Sequence, residues 1–132
     1  MIRTRGLAHI SIPVTDLERS REFYTQRLGL KFLSAPPKSG MAFLDAAGDC
    51  VILVKVDRPI STAGVRAVHH AFMIGHDDYV AAMEELRANG VEILSEEDRR
   101  GENVNGPRFY FFDPDGNTLE LIDLTSYKGD KV

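Results

Sequence analysis

Apolar residues in the first sixty positions follow strand spacing, then helix spacing, then strand spacing again. Between Leu7 and Val14 apolar and polar positions alternate, which is typical of a half-buried strand with His9 and Ser11 on its polar face. A helix is predicted next. Thr15 and Glu18 have the spacing of a capping box at its start, and Gly29 is expected to end it. Three strands are predicted after it: Leu30 to Leu33, Met41 to Leu44 and Cys50 to Val56.

The same order of elements recurs in the second half of the chain. A strand is predicted from Val65 to Ile74, followed by a helix that Asp77 or Asp78 caps and Gly90 ends. Three more strands follow: Val91 to Leu94, Phe109 to Phe112 and Thr118 to Leu124. The segment from Ser95 to Pro107 is predicted to be a polar loop, and the tail after Ser126 to be polar and loosely held.

An internal repeat relates the two halves. The matched positions are His9 with His69, Gly29 with Gly90, and Asp45-x-x-Gly48 with Asp113-x-x-Gly116. The repeat predicts an α+β fold of two tandem βαβββ modules, at about residues 7–56 and 65–124, within a single domain that ends in a polar tail at 125–132. A ferredoxin-like βαββαβ arrangement uses the same alternation but leaves strands over.

The repeat also indicates which chemical groups share equivalent positions. His9 and His69 begin the first strand of each module, and on the last strand Glu120 aligns with Ile52. A pseudo-twofold arrangement would gather two imidazoles and one carboxylate on one concave surface. That donor set suits Fe(II) and is compatible with Mn, Zn or similar ions.

His70 is the alternative to His69 in this set. Strand alternation places His70 on the face that packs against the helix, and His69 on the face equivalent to that of His9, which favours His69. A single histidine at a strand end is more often a hydrogen-bonded structural residue than a ligand, and Glu120 could lie on a solvated outer face. The coincidence of three such residues at repeat-related positions favours a metal site.

Composition excludes several functional classes. The chain has 132 residues with 20 acidic and 16 basic side chains, and a net charge of −4 argues against broad neutralisation of nucleic-acid phosphates. Its apolar stretches are too short for a membrane helix, and no signal-peptide core precedes Leu7, so we expect a cytoplasmic protein. The single cysteine, Cys50, excludes an internal disulfide and has no adjacent activating base.

Two further groups are candidates by position. Tyr110 could place its hydroxyl in a cavity, although the register of its hairpin is not fixed by the sequence. Arg99 and Arg100 lie in a mixed-charge segment that is normally solvated, and that could instead cover a cavity and meet an anionic substrate.

Three segments carry a resemblance to a known family: His9 to Tyr24, His69 to Phe72 and Phe111 to Leu121. Together they resemble the vicinal oxygen chelate superfamily, which includes glyoxalase I, extradiol dioxygenases, fosfomycin-resistance enzymes, methylmalonyl-CoA epimerase and bleomycin-resistance proteins. The resemblance implies paired βαβββ modules that form a cupped sheet around a divalent metal, often in a homodimer. It implies the metal ligands His9, His69 and Glu120.

Departures from the motifs of individual members narrow the range of activities that the resemblance implies. Ile52 stands where glyoxalase I has a second glutamate and the epimerases have a glutamine, so glyoxalase I activity itself is not implied. Ser11 and Tyr110 match hydroxyl positions that fosfomycin-resistance enzymes use around their substrate, but the His-x-Gly that those enzymes usually show after the metal glutamate is missing. Bleomycin-resistance proteins generally lack the metal-binding set.

The sequence therefore predicts an enzyme that uses a divalent ion, Fe(II) or Mn with Zn or Ni as alternatives, to chelate neighbouring oxygens of a small substrate. An extradiol dioxygenase-like activity, or a lyase or isomerase of the glyoxalase family, is expected first. A fosfomycin-resistance-type transferase or hydrolase and a metal-free binding protein are the alternatives. Tyr110 and Ser11 are the candidate catalytic residues. A homodimer is expected, with each site formed within one chain or across two.

Overall fold

In the computed structural model, residues 1–60 and 67–129 are described, and the chain divides into two units, Met1–Ile60 and Ser61–Val132. Each unit carries its own sheet and its own α-helix. Within the described residues no helix is long and apolar enough to cross a membrane.

The first unit has the order βαβββ. Its elements are β1 (His9–Val14), α1 (Leu17–Gln26), β2 (Lys31–Ser34), β3 (Met41–Ala46) and β4 (Asp49–Lys55). The sheet order is β1-β4-β3-β2, with β1 and β4 parallel and the other neighbours antiparallel. Alternation buries the centre of one face of the sheet, where Ile12, Leu44 and Leu53 are fully buried, and Tyr24 of α1 is equally buried.

The helix start differs from the prediction by one residue. Asp16, not Thr15, is the N-cap, and its carboxylate accepts a hydrogen bond from the Arg19 amide at 3.1 Å. Aspartate accepts this bond as readily as threonine does, so the two neighbouring candidates could not be separated by residue type. The predicted stop is confirmed, because Gly29 takes a φ of +70° and the Leu30 amide returns to the Tyr24 carbonyl.

The second unit repeats the order and adds a short strand. Its elements are β5 (His70–Met73), a single 3-10 turn (His76–Asp78), α2 (Tyr79–Ala88), β6 (Ser95–Arg99), β7 (Val104–Phe112), β8 (Thr118–Ile122) and β9 (Ser126–Tyr127). The sheet order is β5-β8-β7-β6, and β9 pairs with β7. The α+β fold with two βαβββ units is confirmed, and a ferredoxin-like single sheet is excluded.

Several boundaries in this unit were predicted wrongly. No strand forms from Val91 to Leu94, and the segment predicted as a polar loop contains β6 and the start of β7. Charged residues dominate β6 because it is an edge strand of the sheet, where charge protects the open edge. No side-chain hydrogen bond caps the helix at Asp78, and the tail residues Ser126–Tyr127 pair with β7. Residues 65 and 66 of the predicted first strand lie outside the described residues.

Strand register confirms that Ile52 and Glu120 are equivalent, but it makes Asp45 the equivalent of Phe112 and not of Asp113, because the second turn between the paired strands is longer. In the first unit Ser11 pairs with Ile52, which pairs with Phe43 on the other side. In the second unit Ala71 pairs with Glu120, which pairs with Tyr110. Ile52 and Glu120 are therefore structurally equivalent, as are Phe43 and Tyr110. Two residues before these positions on the same strands, Met41 is the equivalent of Arg108.

Candidate functional site

The two faces of the second sheet differ in chemistry. Along β7 and β8 one face is apolar, with Phe109, Phe111 and Leu119 fully buried, and it contacts α2, where the rings of Tyr79 and Phe109 lie 5.3 Å apart. Cross-strand partners share a face, so alternation directs the charged and hydroxyl-bearing residues to the opposite side. This side is called the polar face below; its residues are His69, Ser95, Glu97, Arg99, Arg108, Tyr110 and Glu120.

His69 and Glu120 form a close pair on the polar face. The Nε2 atom of His69 lies 3.0 Å from Oε2 of Glu120, whose side chain is 3% exposed while that of His69 is 31% exposed. This separation fits a hydrogen bond. It also fits two ligands of one metal ion, because bonds of about 2.1 Å at a right angle put the donor atoms about 3 Å apart. The pair is therefore built for either role, and Glu120 does not lie on a solvated outer face.

Arg108 holds the other oxygen of Glu120. Its Nη1 atom lies 3.4 Å from Oε1 of Glu120, and the arginine side chain is 4% exposed. Its Nε donates to the Gly106 carbonyl at 3.2 Å and its Nη2 to the Val104 carbonyl at 2.9 Å. These bonds fix the guanidinium, so that Glu120 keeps one oxygen against Arg108 and turns the other toward His69.

The backbone beside Arg108 requires a glycine. Gly106 has a φ of +130°, and a Cβ there would lie 1.9 Å from the Asp123 carbonyl oxygen. The close approach of these two backbones positions the start of β7, whose carbonyls accept the hydrogen bonds of Arg108.

Tyr110 and Glu97 form a second pair beside the first. The Tyr110 hydroxyl donates to Oε1 of Glu97 at 2.7 Å, and Arg99 donates to the same oxygen at 3.0 Å. Burial, and then the hydrogen bond to Glu97, raise the pKa of Tyr110 to about 12. The same hydrogen bond is the main reason that the pKa of Glu97 is lowered. Tyr110 thus keeps its proton at neutral pH, which argues against it as a general base.

The two adjacent histidines of the second unit occupy opposite faces. His70 pairs with Leu119 of the apolar face, whereas His69 contacts Glu120 and packs edge-on against the Tyr110 ring at 5.7 Å between centroids. Burial, together with the neighbouring His69, lowers the pKa of His70. Of the two, the structure brings only His69 to the carboxylate.

The equivalent face of the first sheet is mostly apolar. His9 and Ser11 lie exposed on the edge strand β1, and Ile52, 8% exposed, occupies the position of Glu120. Cys50 is the register partner of His9. Within neither unit do the described residues gather three His, Cys, Asp or Glu side chains into a metal-binding group. The pair of His69 and Glu120 needs a further ligand to form the predicted set.

Three residues of the polar face were missed by sequence reasoning as site residues: Ser95, Glu97 and Arg108. Ser95 and Glu97 lie in a segment predicted to be a loop, where no face could be assigned. Arg108 is two residues from Tyr110, and strand alternation would have placed both on one side had the hairpin register been known. The two arginines suggested for an anionic substrate are instead paired, Arg99 with Glu97 and Arg100 with Asp98.

Comparison with known proteins finds relatives that are named as transferases and as a fosfomycin resistance protein. The family model described as Glyoxalase/Bleomycin resistance protein/Dioxygenase superfamily matches residues 6–121. A glutathione transferase FosA of Serratia marcescens is 31% identical over 89% of this chain and 79% of its own. A metallothiol transferase FosB of Lysinibacillus sphaericus is 30% identical over 89% and 81%. The crystal structure of the fosfomycin resistance protein FosX of Listeria monocytogenes superimposes with a TM-score of 0.74 at 27% identity, covering 93% and 94%.

Proposed function

The chain belongs to the Glyoxalase/Bleomycin resistance protein/Dioxygenase superfamily, and on that premise we propose that it is a divalent-metal-dependent enzyme that binds neighbouring oxygens of a small substrate. The observation that carries the proposal is the convergence of His69 Nε2 and Glu120 Oε2, 3.0 Å apart on the polar face. The relative named as a metallothiol transferase supports a role for a metal.

His9 is proposed as the third ligand. The support is its equivalence to His69. His9 lies two residues before Ser11, the register partner of Ile52, and His69 lies two residues before Ala71, the register partner of Glu120. Two imidazoles and a carboxylate suit Mn(II), Fe(II), Zn(II) or Ni(II) and leave coordination positions for a substrate. An ion bound there would supply Lewis acidity, which polarises a substrate oxygen.

The protein groups nearby orient the substrate and hold its protons. The Tyr110 hydroxyl donates its hydrogen bond to Glu97, so its oxygen can accept a hydrogen bond from a substrate hydroxyl. Ser11 lies on the face of the first sheet that carries His9, where its hydroxyl is proposed to contact the substrate. Arg108 contacts one oxygen of the Glu120 carboxylate and so orients the other, which a metal ligand requires.

Addition to the substrate or its rearrangement is favoured over oxidative ring cleavage. The two relatives compared above are transferases by name, and the structural relative is a fosfomycin resistance protein. The position equivalent to Glu120 in the first unit is Ile52, which has no carboxylate. This argues against a lactoylglutathione lyase with two glutamate ligands. We therefore propose a transferase, hydrolase or isomerase before a dioxygenase.

Metal content tests the proposal directly. Protein purified without chelator, and reconstituted with Mn(II), should hold about one ion per chain by mass spectrometry. His69→Ala should lose the ion. His76→Ala is the control and should keep it, because His76 is exposed and its ring nitrogen bonds the Asp123 carboxylate instead of Glu120. A wild-type protein that takes up no divalent ion would contradict the proposal and leave a metal-free binding protein.

We also propose that the protein is a homodimer. If each site uses ligands from two chains, mixing His9→Ala with His69→Ala subunits restores intact sites in the mixed dimers. If each site lies within one chain, mixing restores none. Light scattering on the wild-type protein gives the oligomeric state, and metal content of the mixture separates the two arrangements.

A further inference from the structure

The turn before α2 meets the end of β8 at one corner of the second unit. Strands β5 and β8 are parallel neighbours, and beyond their last paired residues the Ile74 amide donates to the Ile122 carbonyl at 2.9 Å. The segments that follow the two strands therefore start side by side. His76 and Asp123, 47 residues apart in sequence, meet there, with Nδ1 of the imidazole 2.8 Å from Oδ2 of the carboxylate.

Asp123 is the buried and anchored member of this pair. Its amide donates to the Pro107 carbonyl at 3.0 Å, and a Cβ on Gly106 would lie 1.9 Å from its carbonyl oxygen. These contacts hold its backbone against the start of β7. Its side chain is 10% exposed, and within residues 1–60 and 67–129 its carboxylate has His76 as hydrogen-bonding partner. A carboxylate at such a place is costly without a partner.

His76 is the exposed member of the pair. Its side chain is 85% exposed, and it begins the 3-10 turn that leads into α2. Asp16 caps α1, whereas no side-chain hydrogen bond caps either this turn or α2. The first amides of an uncapped helix depend on water, so such a start frays readily. The bond to Asp123 therefore does the work of a cap, because it ties this start to the sheet.

The charges around the corner favour a protonated His76. The hydrogen bond to Asp123 and then the charge of that carboxylate raise the pKa of His76, and the charge of Asp77 adds to the effect. The other titratable or charged groups of the neighbouring elements are Asp78 of the turn, Tyr79 of α2, Glu96 and Asp98 of β6, and Arg108 of β7. The one cation among these groups, Arg108, is paired with Glu120.

Protonation of His76 stabilises the folded protein over a definite pH range. A histidine whose folded-state pKa is raised contributes its full stabilisation below the ordinary value of 6.5. The contribution is lost as pH rises through the raised folded-state pKa. Above it, a neutral imidazole can still donate from Nδ1, but the bond to Asp123 is no longer charge-assisted.

We propose that His76 and Asp123 form a pH-sensitive latch, which holds the turn before α2 to the end of β8 while His76 is protonated and loosens when that proton is lost. Neither residue belongs to the polar face, so the latch goes beyond the proposed function and needs no bound ion. It controls how firmly the start of α2 is held, and its range lies near neutral pH.

Titration of the His76 imidazole by NMR tests the bond. Its midpoint should lie above that of an ordinary histidine in the wild-type protein, and Asp123→Asn should lower it. Asp77→Asn is the matched control, because it removes a carboxylate of the same turn that affects His76 by its charge alone, and it should lower the midpoint less. Equal midpoints in wild type and Asp123→Asn would refute the bond.

Amide hydrogen exchange tests whether the bond holds the turn. The Asp78 amide donates to the Gly75 carbonyl at 3.1 Å, so its protection factor reports opening of the turn. In wild type this factor should be about threefold or more higher near pH 6 than near pH 9. His76→Gln keeps a donor but cannot take up a proton, and should show no such difference. The Ser20 amide of α1, bonded to the Asp16 carbonyl, is the internal control and should not follow His76.

Each remaining outcome decides the proposal. A wild-type protection factor that is the same at both pH values, or that changes equally in His76→Gln, would overturn the latch. A raised midpoint without that change would leave a hydrogen bond that does not hold the turn, which overturns it as well. His76→Gln alters an exposed side chain, so this test stands even if Asp123→Asn does not fold. Failure of Mn(II) binding would refute the proposed function and leave the latch standing.

Discussion

The two units build the same strand order and the same register, yet they present different chemistry at equivalent positions. The first unit has Met41, Phe43 and Ile52 where the second has Arg108, Tyr110 and Glu120. Ile52 is buried at no electrostatic cost, whereas Glu120 is buried only because Arg108 and His69 contact both of its oxygens. The backbone therefore supports either face, and side-chain pairing decides which one can hold a buried carboxylate.

The largest effect is expected from giving the second unit the residue of the first. Glu120→Ile leaves Arg108 buried without its acidic partner, which should cost about 3–5 kcal/mol of the free energy of unfolding. The double variant Glu120→Ile/Arg108→Met reproduces the apolar pair Ile52 and Met41, and should recover most of that loss. Denaturant titration measures both, and a single variant as stable as wild type would refute the role of the ion pair.

The reverse substitution should cost somewhat less. Ile52→Glu introduces a carboxylate at a position that is 8% exposed and has no arginine at the equivalent of Arg108. We expect a loss of about 2–4 kcal/mol at neutral pH. Burial raises the folded-state pKa of such a carboxyl, so the loss should shrink as pH falls toward its ordinary range and grow above it. Ile52→Val is the steric control, with a loss of about 1 kcal/mol and no pH dependence.

Tyr110→Phe, which copies Phe43 into the second unit, should have a smaller effect. It removes the hydrogen bond to Glu97 and should cost about 1 kcal/mol. The folded-state pKa of Tyr110 is raised to about 12, so its contribution to stability is complete below pH 10 and is lost as pH rises toward 12.

Alkaline titration checks this prediction. The variant should lose less stability than wild type between pH 10 and 12, where only the wild-type protein has Tyr110 to ionise. The difference between the ultraviolet phenolate titrations of the two proteins should rise above the range of an ordinary tyrosine. A difference curve centred near pH 10 would show that Glu97 and burial do not hold the Tyr110 proton.

Much of the fold followed from local patterns. The alternation of β1 and the helix ended by Gly29 are short-range signals, and the structure has the corresponding elements. The strand β6 was missed because its charged residues, which are common on an edge strand, form a polar pattern that is also typical of a loop. The tail strand β9 was missed because two residues form it only by pairing with a distant strand.

The candidate site was less predictable than the fold because it depends on register. His69 and Glu120 were found through the repeat, which implies equivalence without knowledge of pairing. Arg108 and Glu97 could be found only once β6 is aligned with β7 and β7 with β8, since a shift by one residue would turn both to the other face. Long-range pairing of this kind leaves no local mark in a single sequence.

The most direct test of the central claim is the Mn(II) stoichiometry of the Glu120→Ile/Arg108→Met variant beside wild type. This variant removes the charged pair without leaving a buried charge, so folding and metal binding can be separated. We predict a folded variant that holds no ion and a wild-type protein that holds about one per chain. Equal metal content in the two proteins would contradict the assignment of Glu120 as a ligand.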